Sequence, residues 1–123
     1  MKENNIIVDK SKSFAVRAIR LFQYLQSEKK EVILSKQLIR SATSIGANVK
    51  EAIRGQSSKD FWSKLNIALK EASETEYWLE LLFETEYITE KQFNSLHTDC
   101  IELIKILTSI INTSKNNIST LDK

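Results

Sequence analysis

The sequence contains no proline, two glycines and one cysteine among 123 residues. Sandwiches, barrels and α/β folds need special backbone angles at many turns, whereas a few long helices need almost none. The shortage of turn residues therefore predicts an all-helical fold. A single cysteine cannot form an internal disulfide, which suits a reducing compartment and excludes a cysteine-rich metal site. No stretch approaches the ~18 to 20 uninterrupted apolar residues of a membrane helix. Near the start only Ile6, Ile7 and Val8 form an apolar run, against the roughly 7 to 15 residues of a secretory signal core. A cytoplasmic protein that does not span a bilayer is expected.

What the chain does have is 41% hydrophobic and 28% charged residues, which at this length support one core without staples. One domain over residues 1–123 is expected, with an ordered core from about 10 to 112 and flexible tails. The net charge of +2 conceals a division. Residues 1–54 hold eleven Lys and Arg against five Asp and Glu, while residues 55–123 hold seven against eleven. Seven glutamates between residues 71 and 90 have no Lys or Arg among them. Such a polar subunit can steer a polyanion to one face, or subunits to one another.

Four amphipathic segments are legible. Phe14, Ala18, Leu21, Phe22 and Leu25 recur at helical spacing over about 10–28. Leu34, Leu38, Ala42, Ile45, Val49 and Ala52 do the same to about Arg54, where Gly55 is expected to end the helix in a left-handed conformation. Gly46 inside this helix implies close contact with a neighbour, aided by Ala42 and Ala47. Ser57 or Ser58 is expected to cap a third helix, running to about Glu86, whose apolar stripe is interrupted at Thr75 and Glu76. That polar break calls for a basic or hydroxyl partner on a facing helix. Thr89 and Gln92 form a capping box at the start of the fourth helix. In it Ile101, Ile104, Ile106 and Ile111 widen the apolar surface beyond one stripe, so spare surface for another subunit is expected. The tail from Asn112 is expected to fray. Short polar connections make an antiparallel up-down-up-down four-helix bundle the simplest arrangement.

Little in the chain points to catalysis. Di-metal carboxylate bundles project two Glu-x-x-His pairs inward, and the sole histidine, His97, follows Asn94 at that spacing. His97 and Cys100 offer two ligands where zinc needs three or four, so no metal site is expected. A helix-interior cysteine in apolar surroundings has a raised pKa and makes a poor nucleophile. Two glycines cannot build a phosphate-binding loop. Trp62, Tyr77 and Trp78 read as packing or interface residues, because no Lys or Arg flanks Tyr77 and Trp78. No enzyme activity and no cofactor are expected. The candidate polyanion surface is the line Lys10, Arg17 and Arg20 on the first helix, joined by Lys36 and Arg40 of the second.

One pair of motifs is more specific. The stretch from Gln37 to Asn48 reads Q-L-x-R-S-x-x-S-I-x-x-N, and Glu71 to Trp78 reads E-x-x-E-T-E-Y-W. Over about residues 10–112 the chain resembles the bacterial four-helix bundle proteins encoded by intervening sequences of the large ribosomal RNA gene. A related branch is the accessory variability protein of diversity-generating retroelements. The resemblance implies a small antiparallel bundle assembling as a ring of five. It also implies an association with RNA or a ribonucleoprotein; the strongly basic retroelement branch is thought to bind nucleic acid. The residues give the motifs a structural meaning. Ser41, Ser44, Asn48 and Glu51 line one side of the second helix, with Arg40 beside them, and are expected to meet Glu74, Thr75 and Glu76 in a polar network that fixes register. The alternative function is a protein-interaction scaffold without nucleic acid. Either way a homo-oligomer is expected.

Overall fold

In the computed structural model, residues 2–121 are described, with side chains from Ile6 to Thr113. Four helices account for nearly all of them: α1 Lys2–Ser27, α2 Ile33–Ile53, α3 Ser58–Glu84 and α4 Glu90–Leu121. The expected all-helical bundle is observed. Each helix packs on its neighbours in sequence, and α4 closes the square against α1. Cross-helix partners run in opposite directions along each seam. Lys10 meets Glu102 and Arg17 meets Asp99 between α1 and α4. Arg40 meets Glu74 and Glu51 meets Lys64 between α2 and α3. Between α3 and α4, Glu76 meets His97 and Ala72 meets Cys100.

The core follows the expected stripes, with Leu38, Ala42, Ile45 and Val49 of α2 facing Leu65, Ala68, Ala72 and Leu79 of α3. Helix α1 begins about two turns earlier than its sequence periodicity indicated, because Ile7 and Ser11 extend the buried line toward the N-terminus. Helix α4 likewise continues as helix past Asn112, where fraying was expected. Much of its wide apolar surface up to Thr113 is covered within the subunit. Ile110 and Ile111 are buried, and Ile104 and Ile106 pack against the core. Among the described residues, the exposed large apolar side chains all lie outside α4, on the other three helices and at Val32 just before α2. As far as Thr113, much of the expected spare surface of α4 is therefore covered, with Ile101 left part-exposed; four-sided packing covers a broader arc than a single stripe.

Gly55 departs from expectation in its conformation. Neither glycine has a positive φ, and α2 ends instead in a tightened turn in which Gly55 N–H donates to Ala52 O at 3.1 Å. Space there is tight: a Cβ would lie 3.1 Å from Ala52 O and 3.3 Å from Asp60 Cβ, so its neighbours would have to give by a few tenths of an ångström. The left-handed positions are Lys30 and Glu86, with φ of 56° and 68°. At Glu86 two returning bonds, from Tyr87 N–H to Leu82 O and from Glu86 N–H to Phe83 O, close α3 in a Schellman motif. Gly46 does lie at a helix contact, where a Cβ would meet Ser11 O and Oγ of α1 at 3.5 Å. Ala42 is buried, whereas Ala47 faces solvent and takes no part.

The helix starts are capped by different devices. Ser57 Oγ accepts from Asp60 N–H at 3.1 Å. Thr89 and Gln92 form the expected reciprocal box at 2.8 and 3.1 Å. Helix α2 has no side-chain cap at Val32; the buried Glu31 carboxylate reaches forward, accepting from the N–H groups of Ile33, Leu34 and Ser35 at 3.0, 2.9 and 2.7 Å.

Candidate functional site

Some residues of the two motifs, Arg40 and Ser41 with Glu71, Glu74 and Thr75, come together along the α2–α3 seam. At its centre Thr75 and Ser41 are fully buried, and Thr75 Oγ1 donates to Ser41 Oγ at 2.8 Å. This is the hydroxyl partner that the break in the α3 stripe required. Above it, on the surface, the Arg40 guanidinium is held by Glu74 and, at 3.3 Å, by Glu71. Glu74 also accepts from Trp78 Nε1 at 3.0 Å, so one carboxylate links an arginine of α2 to an indole of α3.

The remaining network candidates lie elsewhere. Asn48 Nδ2 donates to Ser44 O and Oγ at 2.8 and 3.1 Å, a contact along α2 itself. Glu51 is near the far end of the seam, 3.6 Å from Lys64. Glu76 faces α4, where its Oε2 is 2.7 Å from His97 Nε2. The ring of His97 stacks on Phe93, which stacks on Phe83, with centroids 4.9 and 4.8 Å apart. Sequence reasoning missed the Glu76–His97 pair, because their 21-residue separation spans two helices and a turn.

The candidate polyanion line is divided by its own ion pairs. Lys10 Nζ is 2.7 Å from Glu102, a contact that raises its pKa by hydrogen bonding and by charge attraction. Arg17 pairs with Asp99, and its second terminal nitrogen donates to Ser95 Oγ at 2.7 Å. Arg40 is occupied by Glu71 and Glu74. Of the five, Arg20 and Lys36 make no ion pair among the described residues. Exposed pairs of this kind add little to stability, yet they lower the charge the line offers. The acids on α4 were visible in sequence; their alignment with α1 was not.

The seven glutamates divide in the same way. Glu71, Glu74 and Glu76 serve the two seams of α3, while Glu80, Glu84, Glu86 and Glu90 remain exposed toward the α3–α4 turn. His97 and Cys100 do not converge: the thiol is buried and donates to Ala72 O at 3.3 Å. Burial, and secondarily the charge of Glu76, push the Cys100 pKa up to about 12. Among the described residues no cluster of three or more His, Cys, Asp or Glu is placed to hold a metal ion. Among the described residues no helix is long and apolar enough to cross a membrane.

Comparison with known proteins complements this geometry. No curated protein matches the chain. A crystal structure of a protein of unknown function from the S23 ribosomal protein family of Bacteroides thetaiotaomicron superposes with a TM-score of 0.88 at 56% identity, covering 89% of this chain and 98% of that one. The model of the family described as 23S rRNA-intervening sequence protein matches residues 3–109, a span that includes both motifs, α2 and α3 whole, nearly all of α1 and the first twenty residues of α4. The chain therefore belongs to the 23S rRNA-intervening sequence protein family.

Proposed function

We propose that this protein is a non-enzymatic, oligomeric helical bundle that associates with RNA or a ribonucleoprotein. Family membership carries the reading. It is supported by exposed cations, Arg20 and Lys36 among them, that no acid in the described residues neutralises. Such a surface binds a polyanion weakly and in a salt-sensitive manner. A filter-binding titration against structured ribosomal RNA is expected to show binding at low salt that falls steeply as salt is added. Absence of binding at low salt would remove the reading.

Assembly is proposed to proceed head to tail, through unlike faces. The outward side of α1 carries Val16, 47% exposed, and Ile19 beside the cations Lys12 and Arg20. The outward side of α3 carries Tyr77, 53% exposed, beside Glu80 and Glu84. Unlike faces make a heterologous contact, which closes as a ring or runs on as a fibre, and the family resemblance favours a ring of five. Light scattering at micromolar concentration is expected to report about five subunits, and Glu80→Lys with Glu84→Lys to weaken the assembly as salt does. A monomer, or an oligomer indifferent to both changes, contradicts this arrangement.

A second reading, a protein-interaction scaffold, is favoured by one patch. Trp78, bonded to Glu74 of the Arg40 pair, stands edge to face with the exposed Tyr77, and aromatic residues with arginine are enriched at protein interfaces. Pull-down with and without nuclease separates the two readings: partners that survive nuclease favour the scaffold.

A further inference from the structure

The corner where α2 ends and α3 begins carries an open groove of about 760 Å³, within the range of ligand clefts. Its charged lining is unlike that of the α1 line. Lys50 in the last turn of α2 and Arg54, its C-cap, are four residues apart, and Lys64 of α3 shares the lining. Two acids share the groove. Glu51 is 3.6 Å from Lys64, and Asp60 sits in the first turn of α3, where the helix dipole favours a carboxylate. Lys50 and Arg54 make no ion pair among the described residues, so their charge remains available. Gly55 also lines the groove, where it presents backbone and no side chain. A ligand there can approach the main chain closely.

We infer that this groove, rather than the line along α1, holds the phosphodiester backbone of a bound polynucleotide. The inference rests on the RNA-association reading and assigns it a location. An open cleft suits a chain passing through more than a small molecule enclosed on all sides. The planar fork of Arg54 can take two oxygens of one phosphate with Lys50 as a point charge beside it, while Lys64 is shared with Glu51. Gln56 is the one uncharged polar side chain of the lining that can reach a base edge, so recognition by the groove is mainly of backbone and shape.

The test compares three proteins for binding a ribosomal RNA hairpin, and a DNA duplex of matched length, across a salt series. These are the wild type, Lys50→Glu with Arg54→Glu, and the charge-matched control Lys91→Glu with Lys105→Glu on the exposed side of α4. Circular dichroism confirms the fold of each, and Lys50→Gln with Arg54→Gln provides a milder pair. The groove variant is expected to bind about tenfold or more weakly, with a log–log salt slope shallower by about 1 to 2, while the control stays near wild type. The same loss on both nucleic acids supports a backbone site; loss on one alone supports the site and identifies its ligand. Wild-type binding that survives in the groove variant, or falls equally in the control, overturns the groove while leaving RNA association standing. Failure of the wild type to bind either probe overturns both.

Discussion

Cys100 in the folded protein is expected to react with iodoacetamide at pH 8 about a thousandfold more slowly than an ordinary thiol. The reactive species is the thiolate, and a pKa moved from 9.0 to about 12 lowers its fraction by roughly three powers of ten. Burial is the main cause: the sulfur lies between α3 and α4 and donates to Ala72 O. Reaction should proceed only as the bundle opens, so urea restores the ordinary rate. Labelling of the folded protein at the rate of a free thiol would show that the α3–α4 seam is open in solution. The same shift has a pH consequence. The folded state retains a proton that the unfolded chain releases above about pH 9, so this contribution to stability is complete below that pH and is lost as pH rises toward 12.

Glu31→Ala is expected to destabilise the protein by about 2 kcal/mol, the upper end for loss of a helix cap. Three N–H groups at the start of α2 donate to this carboxylate, and the Ser35 hydroxyl donates in turn to Glu31 O at 2.9 Å. Alanine would leave these donors in a largely buried turn with no side-chain acceptor. Glu31→Gln keeps the shape and one acceptor oxygen but loses the charge, and is expected to cost about half as much. Urea unfolding followed by circular dichroism measures both. A change within about 0.5 kcal/mol for Glu31→Ala would mean that water replaces the carboxylate at no net cost.

The contrast between Glu31 and Thr89 shows what the sequence could convey. Thr89 with Gln92 follows a known local pattern, and the structure has both bonds. Glu31 caps from one position before the usual one, and its only trace was the absence of a Ser, Thr, Asp or Asn at Val32. The four helices and most of the core stripe were legible because a 3.6-residue period survives in the sequence. Contacts between helices were legible only where chemistry demanded a partner. The polar break at Thr75 called for a hydroxyl and Ser41 supplies it, whereas the pairings of Arg17, Lys10 and Glu76 depend on seam alignment that no local pattern records. The excess apolar surface of α4 was misread for a related reason. Periodicity measures the width of an apolar arc but not how much of it two neighbouring helices cover. Of the candidate site, the motif residues were visible, and the groove at Gly55 was not, since it depends on the shape of a turn.

The antiparallel closure of α4 on α1 makes the bundle cyclic in all but its covalent chain. The start of α1 and the end of α4 share one end of the square with the α2–α3 turn, while the α1–α2 and α3–α4 turns share the other. No helix is uniquely first. Joining α4 to α1 by a short linker and reopening the chain at 28–32 or at 85–89 would leave every helix between the same two neighbours. New termini would then emerge at the acidic end, leaving the end with the α2–α3 groove clear for surface immobilisation or fusion.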